Sequence, residues 1–80
     1  MNMREEAWQE LENSLTFLVG ELGPKLDSAT QTLLEDFIRN REYGVAIEWL
    51  NSYLVENSVR TSEQQDEEVR RIMKLVGVAS

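Results

Sequence analysis

Eighty residues with no cysteine, no histidine and a formal net charge of -7 describe one domain, 1–80, with a small core. The two missing residue types rule out disulfides, thiolate or imidazole zinc sites and every nucleophile paired with histidine; no metal, cofactor or catalytic residue is therefore expected. The acidic balance repels phosphate backbones, so nucleic acid is not an expected partner; it either draws in a basic protein or merely aids solubility.

No apolar run approaches the roughly 20 residues of a membrane helix. The start, Met1-Asn2-Met3-Arg4-Glu5-Glu6, lacks the basic-then-apolar order of a signal peptide. A cytoplasmic protein without a membrane partner is expected.

The first helix is predicted from about Met3 to Val19. Trp8, Leu11, Leu15, Leu18, Val19 and Leu22 recur on one side at helical spacing. Glu5, Glu6, Glu10 and Glu12 crowd its first turns, where the macrodipole favours them. Phe17 falls opposite Trp8, on the side of Glu6, Glu10 and Asn13. It is either covered by the following loop, buried by a second contact of this helix, or exposed as an aromatic anchor inside an acidic rim. Gly23 is expected as a left-handed cap, with Pro24 blocking continuation.

Asp27 or Ser28 caps a second helix running to about Arg39, with Gln31 at capping-box spacing from Ser28. Its inner face is Thr30, Leu33, Leu34, Phe37 and Ile38. Adjacent Glu35 and Asp36 diverge by about 100° on a helix and cannot flank one scissile bond. Asn40 is expected to close the helix in the left-handed region. Only Asn40 and Arg41 then separate it from the next helix, so the two must be antiparallel or sharply angled neighbours.

The stretch from Arg41 to Glu56 is the organising helix. Tyr43, Ile47, Leu50 and Leu54 form its core face, with Ala46 at the edge. Beside that face runs a stripe of Glu42, Trp49, Tyr53 and Glu56. Two aromatics flanked by acids suit a protein interface, and equally suit closure of the bundle against a neighbouring helix.

A polar loop, residues 57–60, leads to the fourth helix. Thr61 or Ser62 caps it, with Gln64 or Gln65 at capping-box spacing. Acids load its first half and Arg70, Arg71 and Lys74 its second. Asp66–Arg70 and Glu67–Arg71 are expected ion pairs. Val69, Ile72, Met73 and Val76 form the buried face, Gly77 caps the end, and Val78-Ala79-Ser80 is a short tail. The fold class that follows is all-α, a compact bundle of four short amphipathic helices.

The central stretch also carries a signature: Phe37-Ile38-x-x-x-Glu42-Tyr43-Gly44-Val45-Ala46-Ile47-Glu48-x-Leu50-x-x-Tyr53-Leu54. It resembles the MafI-like family of small bacterial immunity proteins. The likeness extends into Thr61-Ser62-Glu63 and Ile72-Met73-x-Leu75. Asn40-Arg41 departs from the family pattern, where a glycine commonly precedes the glutamate, and Asn51-Ser52 departs where an acid is often seen. The resemblance implies a helical cytoplasmic protein that binds and neutralises a cognate toxin domain, often a nuclease, without catalysis of its own.

An acidic surface could cover the basic cleft of such a nuclease or dock beside it. The expected contacts are Glu5, Glu6, Glu10 and Phe17 on the first helix, and Glu42, Trp49, Tyr53 and Glu56 on the third. A small acidic adaptor or regulatory module is the alternative, and gene context separates the two. An enzyme is not expected, because only a pair of carboxylates could serve it and no spacing demands one. A monomer or weak homodimer is expected.

Overall fold

A computed structural model describes the backbone of residues 3–77 and the side chains of residues 7–77. Four helices follow one another: α1 (Met3–Leu22), α2 (Ser28–Arg39), α3 (Tyr43–Glu56) and α4 (Glu63–Val76). A short 3-10 turn, Gly23–Lys25, joins the first two. No strand occurs among the described residues. Each helix packs on its neighbours in sequence, and α4 returns to α1, closing a ring. α1 and α3 also touch across its middle. The expected all-α bundle is therefore the observed architecture.

The core is one cluster drawn from all four helices. Leu15, Leu18, Leu22, Leu34, Ile47, Leu50 and Ile72 are fully buried within it. α3 contributes Tyr43, Ala46, Ile47, Leu50 and Leu54, the face its periodicity predicts. Thr30, Leu34 and Ile38 of α2 and Val69 and Ile72 of α4 complete the inside. Phe37, Tyr53, Val59, Met73 and Val76 pack around the edge.

α1 runs three residues beyond its predicted end. Leu22 is fully buried, so continuing the helix to that point keeps another leucine in the core. Gly23 is not a left-handed cap: it opens the 3-10 turn, with Pro24 at the start of that turn. Proline is suited to a first helical turn, where its missing N–H costs nothing. Asp27, rather than Ser28, caps α2, accepting from the Thr30 N–H at 2.7 Å.

Two helices end in the same motif without glycine. After α2, the Arg41 N–H donates to the Ile38 carbonyl at 3.0 Å and the Glu42 N–H to Phe37 at 2.8 Å. After α3, the Ser58 N–H donates to Val55 at 3.2 Å and the Val59 N–H to Leu54 at 2.9 Å. Both are Schellman closures, which satisfy the last carbonyls. Arg41 (φ 62°) and Ser58 (φ 50°) take the left-handed position. Asn40, expected there, has φ -89°; its side-chain amide instead donates to the Asp36 carbonyl at 2.9 Å. Glu42 joins Asn40 and Arg41 in the α2–α3 connection.

α4 starts with a full capping box. The Gln65 N–H donates to Ser62 Oγ at 3.1 Å, and the Ser62 N–H donates to Gln65 Oε1 at 2.9 Å. Gly77 closes it in the left-handed region, as expected, with φ 78°. Neither Asp66–Arg70 nor Glu67–Arg71 forms an ion pair among the described residues. Asp66 instead accepts from the Thr61 hydroxyl. Arg71 turns to Glu68 of its own helix and to Ser14 of α1, because α1 supplies a second acceptor where α4 packs on it. Val78, Ala79 and Ser80 lie outside the described residues.

Candidate protein-interaction surfaces

Phe17 is 69% exposed. The arrangement follows from the wheel: a residue opposite the α1 core stripe cannot enter the core when one side of α1 already packs on three helices. Neither the following loop nor a second packed face covers it. Phe17 stands over a groove between α1 and α4 of about 520 Å³, lined by Asn13, Ser14, Leu18, Glu21, Gln64, Gln65 and Glu68 as well.

Polar links cross between the two helices beside this groove. Arg71 Nη2 donates to Ser14 Oγ at 2.9 Å, while Gln65 Nε2 donates to Glu21 Oε1 at 3.4 Å. Gln65 thus caps α4 with its oxygen and reaches α1 with its nitrogen. Arg71 is held firmly charged, its pKa raised by the hydrogen bond to Glu68 and by the charges of Glu68 and Glu10, against partial burial. Glu21 and Glu68 line the groove, so the exposed aromatic shares it with two carboxylates.

Of the expected α1 contacts Phe17 lines the groove, and Glu10, on the same helix, does not. Glu68, Gln64 and Gln65 belong with Phe17 and were not legible, since only the α1–α4 packing brings them near. The side chains of Glu5 and Glu6 lie outside the described residues.

The α3 stripe forms a second surface. Trp49 is 45% exposed. Tyr53 is half-buried against the core, and its hydroxyl oxygen accepts from the Asp27 N–H at 3.4 Å. Trp49 is thus an exposed aromatic, while Tyr53 partly closes the bundle towards α2. Trp49, Tyr53 and Glu56 share a concavity of about 320 Å³ with Glu48 and Ser52. Glu42 does not line it; it sits before the first turn of α3. Glu48 and Ser52 were missed, though the successive spacings of four from Glu48 to Ser52 and from Ser52 to Glu56 were the available signal. The α3 concavity and the α1–α4 groove have no lining residue in common, so the two groups of residues form two separate patches.

Trp8 departs from expectation. It belongs to the predicted core stripe yet is 50% exposed. Tyr43 takes the core position at this level, 3% exposed, and the Trp8 ring lies across it, centroids 5.4 Å apart. The buried Tyr43 hydroxyl donates to Glu12 Oε1 at 2.7 Å. Arg41 and Gln9 complete a third concavity around this pair.

Among the described residues no group of three metal-ligating side chains comes together, and no helix is long and apolar enough to cross a membrane. No family model, curated protein or solved structure matches the chain.

Proposed function

We propose that this chain is an immunity protein. It binds a basic toxin domain, most simply a nuclease, in the cytoplasm and blocks the cleft or surface through which the toxin meets its substrate. The observation that carries the reading is Phe17: a large apolar side chain left 69% exposed over a groove that Glu21 and Glu68 line. Aromatic anchors supply much of the energy in tight interfaces, and surrounding charge sets partner choice and encounter rate. The net charge of -7 and the resemblance of the α3 sequence to MafI-like immunity proteins support the same direction. The chain itself has no catalytic part in this scheme; inhibition is by occupancy.

The test is co-expression with the toxin domain encoded beside this gene. Growth should be rescued, and the two proteins should co-purify in a complex that weakens as salt rises. Failure of rescue, or absence of an adjacent toxin gene, would return the chain to the adaptor reading.

A further inference from the structure

The α3 concavity has a definite chemistry. Ser52 lies at its centre, with Glu48 one turn before it and Glu56 one turn after. Trp49 and Tyr53, also one turn apart, form the flank. A small side chain among four large ones leaves the hollow. Tyr53 is a fixed wall, since it packs on the core and its hydroxyl oxygen meets the Asp27 N–H. Trp49 is a free platform: among the described residues no other ring stacks on it. No cation lines the hollow. Among the described residues neither Glu48 nor Glu56 enters an ion pair.

We propose that this hollow receives one arginine side chain from a protein partner. A guanidinium can lie flat on the indole face while the N–H groups at its edge reach carboxylates. Glu48 and Glu56 are eight residues apart, about 12 Å along the axis, so a cation above Ser52 lies about 6 Å from either level. An ammonium carries its charge at a point, keeps its hydration and gains less from an aromatic plane. The inference rests on the reading of the chain as a protein-binding module. The hollow nevertheless shares no lining residue with the Phe17 groove, and its test requires no toxin.

The test uses the full chain labelled with nitrogen-15. Its two indole N–H signals, from Trp8 and Trp49, are assigned with Trp8→Phe. Acetyl-Gly-Arg-Gly-amide is then titrated in low salt. A saturable shift at the Trp49 indole and the Ser52 amide is expected, with a Kd on the order of 1 mM. The citrulline peptide should produce almost none, and the lysine peptide should bind several-fold more weakly. Glu48→Gln with Glu56→Gln should weaken arginine binding at least threefold, and Ser52→Gln, which fills the hollow, should abolish it. The unchanged remainder of each spectrum reports the fold. An unmoved Trp49 signal, equal shifts from citrulline or lysine, or full binding by both variants would overturn the proposal. Loss of toxin protection with the arginine shift intact would instead count against the proposed function alone.

Discussion

The Tyr43 hydroxyl donates a 2.7 Å hydrogen bond to Glu12 Oε1, tying the first turn of α3 to the middle of α1 across 31 positions of sequence. Tyr43→Phe keeps the ring in the core and against Trp8 but removes this link. The expected cost is about 1.5 kcal/mol, the low end for a bond to a charged group because Glu12 stays partly solvated. In a chain of this size that lowers Tm by roughly 6–12 °C. Thermal unfolding at neutral pH measures it, and Glu12→Gln, which keeps an acceptor, should lose less.

The same hydroxyl sets an alkaline limit. Burial raises the pKa of Tyr43, and the hydrogen bond and negative charge of Glu12 raise it further, against a smaller opposing effect of Arg41. The folded state therefore holds this proton more tightly than the unfolded chain does. The resulting stability is complete below about pH 10, the ordinary tyrosine value, and is lost as pH rises above it. Tyr43→Phe should flatten the decline of Tm above pH 10, leaving only the contribution of other groups. An identical decline in both proteins would show that Tyr43 is not its source.

Two substitutions should stabilise for opposite reasons. Gly20 lies within α1, and a Cβ added there meets nothing within 4 Å. Gly20→Ala removes unfolded-state freedom without a clash and should add about 0.5–1 kcal/mol. Ser58 occupies the left-handed position after α3, at φ 50°, where a Cβ is strained and glycine is not. Ser58→Gly should gain a similar amount, about 0.5–1 kcal/mol, after glycine's own entropy is set against the relieved strain. Urea titrations should show both midpoints raised at constant slope.

Local rules reached some of these features and not others. The α3 core face was legible because burial of Tyr43, Ala46, Ile47, Leu50 and Leu54 follows from spacing within one helix. The Ser62–Gln65 box and the Gly77 cap were legible for the same reason. Phe17 could be placed opposite the core, but its exposure depended on what else covered α1. Trp8 misled, because only the packed bundle shows Tyr43 in the core position beneath it. The left-handed position fell to Arg41 rather than Asn40 because the closing bonds run from Arg41 and Glu42 back to Ile38 and Phe37, with Asn40 still at φ -89°. Arg71 chose Glu68 and Ser14 over Glu67 because α1 supplies a second acceptor. Glu68 and Ser52 escaped notice because they bear on a site only through the concavities they line.

Acid should act through the cap of α2. Hydrogen bonds from Thr30, through its side chain and its backbone N–H, hold the Asp27 carboxyl below its ordinary range, with Tyr53 adding to the effect. The folded state thus favours the ionised form. That contribution is present above the unfolded value of about 3.9 and is lost as pH falls below it. Asparagine caps as well as aspartate but does not titrate. Asp27→Asn should therefore show a shallower loss of Tm between about pH 5 and pH 2. Parallel acid limbs for the two proteins would mean that the cap contributes nothing to the pH dependence.

Phe17 and Leu18 are neighbours in the chain and should behave as opposites. Leu18 is 1% exposed and Phe17 is 69% exposed, and both line the α1–α4 groove. Leu18→Ala opens a cavity in the core and should cost about 2–5 kcal/mol, enough to unfold much of a domain this small. Phe17→Ala removes a side chain that is mostly in water and should change stability by no more than about 0.5 kcal/mol. If the groove is the docking surface, that same Phe17→Ala protein, folded and soluble, should bind the toxin domain at least 30-fold more weakly, the loss of an anchor worth about 2 kcal/mol. Calorimetry on the complex and circular dichroism on the free protein separate the two effects. A folded Phe17→Ala variant that still protects cells fully would remove the α1–α4 groove from the interface and leave the α3 surface to carry it.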